Sequence, residues 1–474
     1  MFVDTRRSFD VASLRQKSYH TDIPEGQRKL AIILPTNGPS EELCKVVAGA
    51  VALGYPTPTI VNWWKDGLHP SPDDSIPSHL LKIVGILDFL EWATSDQAAK
   101  HERLDENDLV LIMDAHDVWL QLPPEVLLER YFAANARANE RLVEKFGDLH
   151  KHVPYQSILV SAQKRCVGPR NKLSDLHCEE MPESPLSDDV YGFFTDSRVF
   201  KAEYRRPRYL NSGGFIGPAG DLMRYFARTE VRMYEHLNSP STAELSGDQG
   251  IFAEIWAEQE LWRDQVLSSG MMEDEDEFEY HVGLDYFQEI VYPTCGSERS
   301  GAFVEIADAP ALEDASAMAG VTPLRLQTLP HDISLADSPL SLMERDMRWR
   351  EASLFADFWT TTIPVAVHHN AYAKGLKARQ QTWWDRTWFF PHLRNLLDLR
   401  MSSNETSAAV ELPSEADGFV ARPYVEREGT EAALLYAQKE GQLKRAGWDE
   451  VCRSDDARVD WWEEVFRDRR GSMG

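Results

Sequence analysis

Residues 109–119 read LVLIMDAHDVW, in which five apolar residues run without a break into two carboxylates, Asp114 and Asp117. A short apolar run of this kind is the signature of a strand buried on both faces. Such strands belong to parallel or mixed sheets covered by helices on each side. The chain keeps this rhythm over residues 28–400. Strands are predicted at 29–35, 59–63, 108–114, 157–162, 209–218 and 364–368. Helical patterns are predicted at 41–53, 79–92, 123–146, 247–262 and 375–400. The expectation is therefore an α/β fold with a mixed, mostly parallel sheet flanked by helices. Residues 1–27 read as a polar N-terminal arm and 28–400 as the catalytic domain. Residues 401–474 read as a linker followed by a helical tail. Residues 167–207 are polar and irregular, which suits a loop over a site.

Composition narrows the function classes. Apolar residues make up 43% of the 474, enough for a substantial core. The net charge of −27 repels a phosphate backbone, so nucleic-acid binding is not expected. An acidic protein that handles an anionic ligand needs local positive charge, and a bound divalent cation supplies it compactly. The five cysteines contain no CxxC, which excludes a zinc ribbon and leaves room for one or two disulfides. Nothing in the chain reads as a secretory signal or a membrane span, so sequence alone points to the cytosol.

Four segments carry chemistry. In open α/β sheets ligands bind beyond the carboxyl ends of strands. Asp114 and Asp117 stand there as candidate oxygen ligands for a hard cation, although an Asp pair also suits the cap of a turn. Asn211 and Ser212 open an Asn-Ser-Gly-Gly run whose backbone can approach a ligand closely, or which simply turns the chain. Asp248 stands at a probable helix start, as a cap or as a general base. Residues 364–370 (PVAVHHN) end a strand in His-His-Asn, an unusual ending. His368 there is either a ligand for a transition-type cation such as Mn²⁺ or a hydrogen-bonded structural histidine. Lys374 can reach a phosphate as a point charge.

Taken in order, LIMDAHDVW, ILVSAQKRCVGP, YLNSGGFIGPA, GDQGIFAEI, LDYFQ and PVAVHHN resemble the glycosyltransferase domain of procollagen lysyl hydroxylases and related collagen glucosyl- and galactosyltransferases, over about residues 29–380. That resemblance implies a GT-A-type fold, a UDP-sugar donor carrying glucose or galactose, Mn²⁺ as cofactor, and a hydroxyl acceptor on protein or glycan. It implies Asp114, Asp117 and His368 as metal ligands, and Lys82, Asp114, Ser212, Asn370 and Lys374 on the donor. Asn211 and Asp248 then become catalytic residues, and the compartment becomes the lumen of the ER or Golgi. The sequence departs from the family at His369 and Ala371, where the family has glycines, and at Gly247, where it has an aspartate. A second reading of these departures is a fold kept as a non-catalytic binding module.

Overall fold

The structure is a computed structural model and describes residues 26–63, 76–147, 154–167, 176–197, 202–238, 247–267, 278–343, 347–371, 378–402, 409–412, 418–454 and 459–473. Its strands are β1 (Gly26–Pro35), β2 (Thr59–Val61), β3 (Leu109–Met113), β4 (Val118–Leu120), β5 (Ile158–Gln163), β6 (Tyr209–Pro218), β7 (Val282–Asp285) and β8 (Val291–Pro293). They continue as β9 (Gly301–Val304), β10 (Leu354–Asp357), β11 (Ala366–His368), β12 (Val410–Leu412), β13 (Phe419–Pro423), β14 (Ala433–Ala437) and β15 (Gln442–Ala446). Helices of ten residues or more are α1 (Glu41–Ala52), α2 (Leu81–Thr94), α3 (Pro124–Phe146), α4 (Ala219–Leu237), α5 (Asp248–Trp262), α6 (Ala309–Met318) and α7 (Leu393–Ser402).

The central sheet is mixed and mostly parallel, in the order β15-β14-β2-β1-β3-β6-β5-β7, and helices flank it as expected. β1 runs parallel to β2, β3 and β13, while β6 lies antiparallel between β3 and β5. Both faces of the sheet are buried. Leu30, Ile32 and Leu34 of β1 enter the core shared with α1 and α7. Ala31 and Ile33 enter the core shared with α2, α4 and α5. This alternation into two cores is why the strand reads as a continuous apolar run rather than as an alternating one.

The C-terminal tail differs from the expected helix. It supplies four strands, β12 to β15, and only short helical turns such as Trp448–Cys452 and Trp461–Val465. The first half of β1, Gly26–Leu30, pairs with β13, because β2 is too short to cover more than Ile33–Pro35. β14 then pairs with the outer edge of β2. These strands close edges that would otherwise expose unpaired N–H and C=O groups. A five-residue apolar run such as ALLYA does not separate strand from helix by periodicity, and the waiting edge of β2 decides it. Cys44 of α1 is bonded to Cys452, tying the tail to the domain.

The expected helix at 375–400 is also broken up. Residues 372–377 lie outside the described residues. The remainder divides into short turns at Arg379–Thr382, Trp384–Arg386 and Phe390–His392 before α7 begins at Leu393. Trp384 is fully buried there and donates to the Val465 carbonyl of the tail (2.8 Å), a tertiary anchor that competes with helix continuity. A second Cys–Cys bond, Cys166–Cys178, closes the loop after β5, and Cys295 takes part in neither disulfide. No helix among the described residues is long and apolar enough to cross a membrane.

Candidate metal and donor site

β3 ends at Met113, and the Asp114 N–H donates to the Gly213 carbonyl of β6 (3.1 Å). The chain turns through Ala115 and His116 to Asp117, then enters β4, which belongs to a separate three-stranded sheet, β4-β11-β8. There β11 runs antiparallel to β4, with His368 opposite Val118, and the His369 N–H donates to the Asp117 carbonyl (2.7 Å). This small sheet carries His368 back over the end of β3. The imidazole Nε2 lies 3.5 Å from Asp114 Oδ2 and 3.4 Å from Asp117 Oδ1. The ligand atoms of the three side chains all lie within 4.8 Å of one another, close enough to hold one ion.

Gly213 and Gly214 permit this approach. A Cβ on Gly213 would stand 2.1 Å from His368 Nδ1, and one on Gly214 would stand 2.6 Å from Val291 Cγ2. The two glycines are required by the ring and the strand that pack on β6. Gly213 is expected in the sequence only as a flexible point.

His368 is oriented from behind. Its Nδ1 lies 3.0 Å from Asn211 Oδ1, which also accepts the Gly213 N–H (3.1 Å) and the Ser161 hydroxyl (3.1 Å). The backbone N–H is an unambiguous donor, so the amide oxygen faces His368, and Nδ1 carries the proton. Nε2 is thereby turned toward the two carboxylates, the arrangement by which a second group fixes a metal-ligating histidine. The Asn211 amide donates to Gln163 Oε1 (2.9 Å) and Gln249 Oε1 (3.0 Å). Asn211 is 1% exposed and has no group left for a sugar hydroxyl, so its expected contact with substrate is replaced by a hold on the ring. Gln163 and Gln249 were not singled out in the sequence. The only signal for Gln163 is a polar residue at the end of a fully buried strand.

Lys82, in the first turn of α2, completes the cluster. Its buried ammonium donates to Asp114 Oδ1 (2.6 Å) and the Ser212 carbonyl (2.6 Å), and lies 3.2 Å from Asp248 Oδ2. Burial by itself lowers a lysine, but Asp114 and Asp248 outweigh it and hold Lys82 well above its ordinary value. Burial likewise lowers His368, and Asp117 with Asp114 outweighs that and holds the imidazole above its ordinary value. Asp114, Asp117 and Asp248 gather around Lys82 and His368, and two carboxylates with one imidazole are a donor set that suits a divalent cation.

Asp248 is the first residue of α5, with the preceding Gly247 at φ 116°. The Asn370 side-chain oxygen accepts the Cys295 N–H (2.9 Å), which pins the end of β11 to the end of β8. Lys374 lies outside the described residues. His369 fills the space between Trp119, 4.0 Å between ring centroids, and Trp383, at 6.0 Å. Burial pushes it down to about 3, so it is a neutral core ring. Asp285 of the LDYFQ segment is buried at the end of β7. It accepts the backbone N–H groups of Glu289 (3.0 Å) and Ile290 (2.8 Å), a turn-capping role, and burial pushes it up to about 6.

No protein-family model matches the chain, and no curated protein matches it. Among solved structures it is similar to the galactosyltransferase LgtC, crystallised with donor and acceptor sugar analogs. The match covers 81% of this chain and 98% of that one, at 11% identity and a TM-score of 0.26. A likeness that loose bears on neither fold nor chemistry, and the functional reading rests on the site itself.

Proposed function

We propose that this chain is a GT-A-type, metal-dependent glycosyltransferase that moves glucose or galactose from a UDP-sugar to a hydroxyl on a protein or glycan. The observation that carries the reading is convergence. Lys82, Asp114, Asp117, Asn211, Asp248 and His368 come from segments scattered through the chain, and they meet in one cluster at the carboxyl end of β3. Their order also matches the family resemblance read from the sequence.

Asp114, Asp117 and His368 would hold the metal, which is taken to be Mn²⁺. When bound, it supplies positive charge at the pyrophosphate, the electrostatic help a departing nucleotide needs. Lys82 aims Asp114, with Oδ1 toward the ammonium and Oδ2 toward His368. The same ammonium pairs with Asp248, which would orient an acceptor hydroxyl or take its proton. Asn211 is a positioning residue that works through His368. Ser212, Asn370 and Lys374 are assigned to the donor from the family pattern. Two disulfides suit an oxidising compartment and support the ER or Golgi lumen as the site of action.

Calorimetric titration of UDP with Mn²⁺, and then with chelator, tests the reading. Binding should require the metal and be lost in Asp117→Ala, and the wild type should hydrolyse or transfer from a UDP-hexose. If folded wild-type protein binds no UDP in the presence of Mn²⁺, the donor site is wrongly assigned and the non-catalytic module takes its place.

A further inference from the structure

Beyond the metal cluster, the loop between β5 and β6 encloses a cavity of about 400 Å³ whose lining includes Glu179, Glu183, Arg205, Arg206, Arg208 and Tyr209. Its volume is in the range of small-ligand sites. The loop is fixed rather than draped. Cys166–Cys178 closes its base, Lys164 donates to the Glu203 carbonyl (2.7 Å), and Arg208 donates to the carbonyls of Pro182 (3.1 Å) and Glu179 (3.0 Å). Arg206 is held by Asp196 (2.5 Å) and Asp188 (2.6 Å).

Two groups in the lining are left over. The Arg205 guanidinium has no ion-pair or hydrogen-bond partner among the described residues. Tyr209 is half-buried, and there its ring has no aromatic partner and its hydroxyl no hydrogen bond. The wall carries Glu179, Glu183 and Asp196 beside Arg205, Arg206 and Arg208, so the cavity has no single charge to draw an anion. It offers unused donors, carboxylate acceptors and one aromatic face, the mixture that matches the hydroxyls and the flat face of a sugar. Its position fits the chemistry. Tyr209 stands two residues before Asn211 on β6, and Asn211 touches His368.

We infer that this cavity is the acceptor subsite and that the acceptor it takes is a carbohydrate, with Arg205 and Tyr209 as its anchors. This names the acceptor class within the glycosyltransferase reading and rests on it.

The test uses the whole chain with Mn²⁺ and UDP present. Binding of methyl β-galactoside, methyl β-glucoside and lactose is followed by saturation-transfer NMR, with inorganic phosphate as competitor. At least one glycoside should bind. Its affinity should fall tenfold or more in Arg205→Ala and in Tyr209→Ala, with melting temperatures unchanged, and should stay at the wild-type level in the exposed control Lys439→Ala. Failure of all three sugars to bind wild type overturns the inference, as does undiminished binding in both variants or displacement by phosphate. UDP titration separates the two readings. UDP binding without glycoside binding sinks only the subsite. Arg205-dependent glycoside binding without UDP binding keeps the subsite and sinks the transferase.

Discussion

Replacing Gly213 with alanine tests the metal site most directly, because the structure leaves no room for the added methyl. The new Cβ would lie 2.1 Å from His368 Nδ1 and 2.3 Å from Cε1, where ordinary contact begins at 3.4 Å, so the shortfall is 1.3 Å (3.4 less 2.1). β6 cannot yield easily, since it is bonded between β3 and β5 and the Gly213 carbonyl accepts the Asp114 N–H. The ring must therefore retreat, stretching its 3.0 Å bond to Asn211 and carrying Nε2 away from the carboxylates. Loss of such an orienting contact costs about 10–100-fold in metal affinity. That is roughly 1.4–2.7 kcal/mol, and the overpacking adds about 1–3 kcal/mol of lost stability. Mn²⁺ titration by calorimetry, paired with a thermal melt, reads both effects. Gly217→Ala, whose Cβ would meet Ile158 Cγ1 at 3.0 Å farther along the same strand, is the control for strain without displacement of His368. A folded Gly213→Ala protein that binds Mn²⁺ as tightly as wild type would refute the placement of His368 as a ligand.

Three further outcomes are expected. Ending the chain after Ser402 strips β13 from Gly26–Leu30 and β14 from β2, so the product should aggregate or lose its cooperative melt; a sharp wild-type-like transition would contradict the role given to the tail. Replacing both Cys44 and Cys452 by alanine opens a link across 408 residues and should cost about 2–5 kcal/mol, seen as a lower melting temperature. Lys164 is fully buried and burial pushes its ammonium down to about 8. With the folded pKa below the unfolded one, the cost of burying the charge is borne below pH 8 and is gone above about 10.5. The stability of wild type relative to Lys164→Met should accordingly rise by up to about 3 kcal/mol across that window, measured by urea unfolding at a series of pH values. A flat difference would mean that burial does not depress the lysine in the fold.

The sequence by itself determined the layers and the three residues that could hold a metal. Runs such as LAIIL (30–34) and LVLIM (109–113) are apolar on every residue because both faces of their strands are buried, and that pattern survives without knowledge of any neighbour. Asp114, Asp117 and His368 were legible because each follows an apolar strand, and a polar residue at that point has few structural reasons to be there. What the tertiary structure decided was everything that depends on a partner distant in the chain. Ala433–Ala437 and Gln442–Ala446 became strands rather than the expected helix, and Phe419–Pro423 a strand in the expected linker, because β1 and β2 offered open edges, and no local propensity records an open edge. The helix expected at 375–400 broke because Trp384 found its hydrogen-bond acceptor in the tail. Asn211, read as a contact for hydroxyls, became the support of a ring carried in on β11, because only folding brings that ring within 3.0 Å of its amide oxygen. The need for glycine at 213 has the same origin: it is set by the imidazole that packs on it, and composition and spacing carry no trace of that contact.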